Sequence, residues 1–229
     1  MTSNLPKRSA IVGTIHSPAA LRAAQRLKTA EVDFLEVRVD HFAEDIAGLL
    51  AGVKKLTTPL IITVRHPQEG GAAPLTFAQR DELYRTFLPF AAFIDVELRS
   101  AAPLSSLFRD AGKSGIGRIL SWHDFRRTPS LAELQTRWEK ARAFAPEVIK
   151  FATRTRTSRD FARLMEFQSN APRKPGLSLM GMREFGKISR LALAQAGSVL
   201  NYGYLGELQV PGQWPARLLK ERLSEITAG

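Results

Sequence analysis

One lysine stands alone in an apolar run, Glu147-Val148-Ile149-Lys150-Phe151-Ala152. An ammonium flanked by Val, Ile, Phe and Ala is costly to desolvate, and burial favours loss of its proton. The neutral amine that results attacks carbonyl carbon. Upstream, Ile119-Leu120-Ser121-Trp122-His123-Asp124-Phe125 sets an imidazole at the end of a second apolar run. A lysine nucleophile and a histidine base on adjacent strands suit Schiff-base chemistry.

Other polar residues interrupt apolar runs in the same manner. Glu36, Arg38 and Asp40 lie two apart and share one face of a strand. Arg65 ends a run and is followed by Glu69-Gly70-Gly71; Asp95 and Glu97 ride on the next run. Met180, Met182, Ser189-Arg190, Tyr202 and Pro211-Gly212-Gln213 complete the series. Charges facing a protein interior are tolerated when paired or when they face a ligand, so a self-satisfied ion-pair network competes with a binding site. Met180 and Met182 read as core or pocket wall. His16, His41 and His66 each read as a loop or cap residue, and only His123 stands between an apolar run and a helix start.

Several chemistries are not encoded. There is no cysteine, hence no disulfide framework, thiolate metal site or cysteine nucleophile. No His-Glu-x-x-His and no Gly-x-Gly-x-x-Gly is present. Gly112-Lys113-Ser114 resembles the tail of a phosphate loop, but the upstream glycine position holds Leu107. No metal and no cofactor is expected. The net charge of +11 is scattered, and its densest cluster is Arg154-Thr155-Arg156-Thr157-Ser158-Arg159. Stacking aromatics do not interleave with it, so no nucleic acid partner is expected. A solvated basic surface, or attraction of an anionic small-molecule substrate, fits better. The N-terminus runs straight into a strand pattern with no apolar leader, and no stretch would span a bilayer, so a cytoplasmic protein without membrane contact is expected.

The elements that must position these residues repeat eight times. Strand-like runs cover Ala10 to Thr14, Phe34 to Val39, Leu60 to Val64, Phe93 to Leu98, Arg118 to Trp122, Val148 to Ala152, Leu177 to Met180 and Val199 to Tyr202. Most lack clean polar alternation, as expected of strands covered on both faces. Helix signals fill the intervals. Ser17-Pro18 is an N-cap with proline at the first helical position, and Thr76 to Gln79 and Ser130 to Glu133 match the capping box. Ser158 is the expected cap of the helix burying Phe161, Leu164 and Met165; Lys187 to Ala196 and Trp214 to Ile226 complete the set. Eight alternating strands and helices predict a (β/α)8 TIM barrel, one catalytic domain over residues 1–229, with chemistry at the carboxyl ends of the strands. An open doubly wound sheet is the alternative.

In order along the chain, Glu36-Val37-Arg38-Val39-Asp40, Thr63-Val64-Arg65 with Glu69-Gly70-Gly71, Asp95-Val96-Glu97, Ser121-Trp122-His123-Asp124-Phe125 with Thr128-Pro129, Ile149-Lys150-Phe151-Ala152, Gly186-Lys187-Ile188-Ser189-Arg190 and Pro211-Gly212-Gln213 resemble the type I 3-dehydroquinate dehydratases. The resemblance covers most of the chain. It implies a (β/α)8 barrel, no cofactor, a homodimer, and dehydration of the anionic substrate 3-dehydroquinate to 3-dehydroshikimate in the shikimate pathway of aromatic amino acid biosynthesis. It makes Lys150 the imine-forming lysine, His123 the proton shuttle and Glu69 the acid that holds it. Arg190 would bind the substrate carboxylate. Glu36, Arg38, Arg65 and Gln213 would touch hydroxyl and carbonyl groups, and Met180 and Met182 would form the pocket wall. Gln209 stands where the family often has serine, and Tyr202 where phenylalanine is common.

On physical grounds, Lys150 near the cations Arg65 and Arg190 is expected to be neutral often enough to attack a ketone. His123, with a pKa naturally near neutrality, would take the proton beside the imine and return it to the departing hydroxyl. Arg190 would grip the carboxylate in bidentate fashion. Two other readings compete: a different class I lyase or aldolase acting on another keto acid, and a retired barrel that senses a ligand or binds nucleic acid.

Overall fold

The computed structural model describes residues 9–28, 31–208 and 210–227, so Gln209 lies outside the described residues. Strands and helices alternate through them: β1 (Ala10–Ile15), α1 (Pro18–Ala24), β2 (Phe34–Arg38), α2 (Ile46–Val53), β3 (Leu60–Thr63), α3 (Phe77–Phe87), β4 (Ala91–Glu97), α4 (Ser105–Lys113), β5 (Gly117–Asp124), α5 (Leu131–Arg142), β6 (Val148–Arg154), α6 (Ser158–Asn170), β7 (Gly176–Met182), α7 (Gly186–Gln195), β8 (Leu200–Tyr204) and α8 (Ala216–Thr227). The strands form one parallel sheet in the order β7-β6-β5-β4-β3-β2-β1-β8. Its two ends meet. The Val199 N–H donates to the Leu177 carbonyl at 2.9 Å, and the Ser178 hydroxyl donates to the Leu200 carbonyl at 2.6 Å. The result is the expected (β/α)8 barrel.

Local chemistry explains most boundaries. The Ser17 side chain accepts from the Ala20 N–H, and Thr76 and Ser130 close reciprocal capping boxes with Gln79 and Glu133. The cap of α6 is Thr157 instead of Ser158. Thr157 has the extended backbone of a cap and exchanges bonds with Asp160, whose carboxylate completes a capping box. The last helix starts at Ala216, two residues later than Trp214, because the residue before a proline is driven out of the helical region. Five strands outrun their expected ends: β1 by one residue to Ile15, and β5 to β8 by two each, β7 reaching Met182 and β8 Tyr204. β5 continues through His123 and Asp124, and β6 continues to Arg154.

Side chains alternate across each strand, so the sheet builds two cores. The outer one lies between strands and helices, where Phe151 stacks on Phe167, and Phe167 meets Trp138 edge-on. The inner one plugs the barrel floor with Phe34, Ile61, Phe93, Ile119, Val148 and Leu200. Phe34 and Phe93 meet edge to face with ring centroids 5.6 Å apart. Burying each such side chain contributes roughly 1.5–3 kcal/mol. Above that floor the same inward rows turn polar.

A fully buried arginine that the sequence did not single out braces this polar layer. Arg80 of α3 donates to the Val64 carbonyl and the Ser100 hydroxyl, both at 2.8 Å, and pairs with Glu97. Glu97 is thereby turned toward Arg65 and the His66 N–H, at 3.1 and 2.9 Å. Removing one partner from a buried pair of this kind costs about 3–5 kcal/mol, because the other charge is left uncompensated.

Candidate active site

The inward rows meet at the carboxyl ends of the strands around a cavity of about 220 Å³. Glu36, Arg38, Arg65, Glu69, His123, Lys150, Met180, Met182, Arg190, Tyr202 and Gln213 all line it. Every described residue of the sequence-derived set therefore reaches one chamber. β5 and β6 pair Ser121 with Lys150 and His123 with Ala152, so the histidine and the lysine are diagonal neighbours on one face.

Lys150 is buried, and its Nζ lies 2.8 Å from Asp95 Oδ2 and 3.4 Å from Glu36 Oε1. The Tyr202 ring faces it at 3.8 Å from the centroid. This corrects the expectation that cations dominate the lysine's surroundings: its nearest charged neighbours are two carboxylates reaching across the barrel. Asp95 is shared with Arg65, whose guanidinium donates to both Asp95 oxygens at 3.1 Å and to the Ser121 hydroxyl at 2.7 Å. Burial alone would raise Asp95, but the charges of Arg65 and Lys150 outweigh it and hold the carboxyl well below the usual carboxylate range. Glu36 accepts from the Thr63 hydroxyl at 3.0 Å. Arg38 forks onto Asp40 at 3.0 and 2.8 Å and reaches the Gly70 carbonyl.

His123 is held from outside the sheet. Its backbone N–H donates to Glu69 Oε2 at 3.1 Å, and ring Nδ1 lies 3.0 Å from the same oxygen. Phe125 stacks against the ring at 6.1 Å between centroids. Glu69 sits on a short 3-10 turn, Pro67–Glu69, ended by Gly70 in the left-handed region at φ 85°. The His66 side chain caps that turn by accepting the Gln68 N–H, as a cap histidine should. Burial, then the charges of Arg65 and Lys150, drive the His123 imidazole well below its ordinary pKa. That departs from the expectation of a histidine poised at neutrality: burial and the two cations favour the uncharged imidazole. Burial raises Glu69 to about 7 against the charge of Arg65.

Arg190 is buried, and burial lowers its pKa to about 10. Its Nε donates to the Tyr202 carbonyl, and Nη1 faces the carbonyls of Gly181, Gly186 and Gly212, all at 2.9–3.0 Å. Nη2 has no protein hydrogen bond among the described residues. Backbone carbonyls hold Nε and Nη1, so Nη2 is the part of the guanidinium left for an anion. Tyr202 adds a buried hydroxyl with no hydrogen-bond partner among the described residues, and burial together with Glu36 and Asp95 raises its pKa well above the ordinary value.

Three contributors were missed. Asp95, the nearest partner of Lys150, carried a signal in its two-residue spacing from Glu97. His41 lines the cavity rim, which its loop reading did not capture. Arg99 pairs with the second oxygen of Glu69 at 3.1 Å, and no sequence signal pointed to it. No group of His, Asp and Glu placed to hold a metal ion occurs among the described residues, and no helix there is long and apolar enough to cross a membrane.

The Glu69 carboxylate must be ionised to accept the Nδ1–H and leave Nε2 free as a base. With Glu69 raised to about 7, activity is expected to rise with pH through that value. Arg99 opposes the rise in Glu69. In the Arg99→Gln protein the acid limb of the kcat profile should move up by about half a pH unit, the modest size reflecting an exposed, screened partner. An unmoved limb would remove Arg99 from the site.

A family model described as type I 3-dehydroquinase matches residues 12–228. The chain is 30% identical over 229 residues to the catabolic 3-dehydroquinate dehydratase of Acinetobacter baylyi, covering 94% of this chain and 84% of that protein. It is 30% identical over 223 residues to the 3-dehydroquinate dehydratase of Thermococcus onnurineus, covering 96% and 99%. The crystal structure of 3-dehydroquinate dehydratase from Geobacillus kaustophilus superposes with a TM-score of 0.87 at 24% identity, over 97% of this chain and 92% of that one.

Proposed function

The chain belongs to the type I 3-dehydroquinase family, and on that premise we propose that it dehydrates 3-dehydroquinate to 3-dehydroshikimate through an imine on Lys150, with His123 moving the protons. The observation that carries this reading is the shared cavity, where the Lys150 amine and the His123 ring project from adjacent strands into one small chamber.

The ammonium must first lose a proton. Asp95 is already engaged by Arg65 and by the lysine itself. The neutral imidazole of His123 shares the cavity and is the acceptor. The free amine then adds to the C3 ketone, and the imidazolium returns its proton to the carbinolamine hydroxyl, which leaves as water, so that the protonated imine forms and His123 is neutral again. The nitrogen is positive in the ammonium and again in the iminium, in both cases beside Asp95, Glu36 and the face of Tyr202. The charges that fix the resting amine thus stabilise the iminium without reorganisation. The iminium withdraws electrons from C2. His123 takes the C2 proton, and the enamine pair expels the C1 hydroxyl. Burial beside Arg65 favours the uncharged ring, so the imidazolium is disposed to return its proton to the departing oxygen. Water then hydrolyses the imine, releasing the enone and restoring Lys150. Arg190 Nη2 and Arg38 would orient the substrate carboxylate and hydroxyls, with Arg65 and Gln213 beside them and Met180 and Met182 as the apolar wall.

Turnover is followed by the absorbance of the conjugated enone. Borohydride added with 3-dehydroquinate should inactivate the protein and raise its mass by one reduced adduct. Turnover without trapping would sink the imine, and neither turnover nor trapping would sink the substrate assignment. A different keto acid cleaved at a carbon–carbon bond would favour an aldolase.

A further inference from the structure

A second chamber of about 180 Å³ adjoins the catalytic cavity on its solvent side. The two share Phe125, Met182 and Val210; Arg154, Arg183 and Pro211 line only the outer one. The placement follows from the strand period. Lys150, Ala152 and Arg154 occupy alternate positions of β6, so Arg154 continues the inward row of the lysine one step beyond the cavity. Arg154 pairs in register with Met182 of β7, which lines both chambers.

Its electrostatics are those of an anion site. Arg154 Nη2 donates to Glu184 at 2.8 Å, but its Nε atom is covered and has no hydrogen-bond partner among the described residues. An arriving acceptor would satisfy this donor. Arg183 is held in the left-handed region at φ 63°, where a non-glycine residue is uncommon, and its N–H is bonded to the Pro211 carbonyl at 2.9 Å. Its guanidinium has no ion-pair or hydrogen-bond partner among the described residues. Two arginines against one glutamate leave the chamber net positive. The apolar faces of Phe125 and Met182 make room for a carbon skeleton behind the anionic group.

We propose that this chamber is a second anion subsite, in series with Arg190, that takes a small carboxylate or phosphate at the barrel mouth. Its role is to hold the substrate carboxylate in the encounter complex before the molecule moves inward to Lys150. The role rests on the imine reading, whereas the existence of the subsite does not.

The test uses inorganic phosphate as the probe. Wild-type protein is first blocked with 3-dehydroquinate and borohydride, which fills the inner site, and the adduct is verified by mass. Calorimetric titration should then find one phosphate site. The double variant Arg154→Gln, Arg183→Asn keeps a residue that tolerates the left-handed backbone. It should bind phosphate about tenfold more weakly, a change of about 1.4 kcal/mol. Equal binding by both proteins, or none by either, overturns the subsite. If no adduct forms, the imine reading fails, and the same comparison on unmodified proteins decides the subsite. For the encounter role, the unblocked variant should keep the wild-type kcat, which also certifies its fold, while kcat/KM falls and loses part of its salt dependence. Weakened phosphate binding with unchanged kcat/KM would keep the site for free anions and overturn its role in substrate capture.

Discussion

Lys150→Ala is expected to lose turnover by on the order of 10⁴-fold or more and to lose borohydride trapping altogether, since removing a covalent nucleophile leaves only binding and the remaining electrostatics. The structure also makes this variant a test of architecture. Lys150 and Arg65 both hold Asp95, and Glu36 leans on the same amine. Truncating the lysine leaves Asp95 with Arg65 alone in a buried layer, so stability should fall by a few kcal/mol as well. Lys150→Met fills the space and separates the two effects. Urea unfolding should find it less perturbed than the alanine variant, whereas both should be equally inactive. An adduct on another lysine, or a methionine variant that still turns over, would overturn the role given to Lys150.

His123→Ala should behave differently. Loss of a positioned acid–base group costs about 10²–10⁴-fold in kcat. Trapping should persist, more slowly, because the nucleophile and its iminium-stabilising neighbours are intact. The substitution also frees Glu69 from the imidazole while leaving its bonds from the residue-123 N–H and Arg99. His123→Asn therefore makes a useful second variant, since it keeps a polar group against Glu69 without a group that titrates near neutrality. If either variant dehydrates at the wild-type rate, the histidine is not the proton carrier. If trapping vanishes as completely as in the lysine variants, solvent cannot replace the imidazole in deprotonating the amine before attack, and imine formation depends on His123 outright.

Much of this arrangement was legible before any coordinates. Glu36 and Arg38, like Asp95 and Glu97, stood in apolar runs at a spacing of two, and Lys150 stood alone in one. The caps at Ser17, Thr76 and Ser130 marked three helix starts correctly because a cap is a bond between residues three apart. The misplacements were small and also local: Thr157 outcompeted Ser158 because its partner Asp160 completes a reciprocal box, and Pro215 pushed α8 past Trp214.

The sequence by itself determined the eightfold βα repeat and the face each polar side chain would take, because both follow from backbone periods of 2 and 3.6 residues that short stretches of chain carry complete. Only the closed barrel decided who meets whom. Lys150 on β6 finds Asp95 on β4 and Glu36 on β2, Arg80 crosses from α3 to Glu97, and Arg99 reaches the far oxygen of Glu69. Those partners are fixed by the curvature of the sheet and its register between strands far apart in the chain, and no local period records them. The ionisation of the site follows the same division. Residue types name the groups able to titrate, but burial and the nearest opposite charge set where they do, and both exist only once the rows have converged.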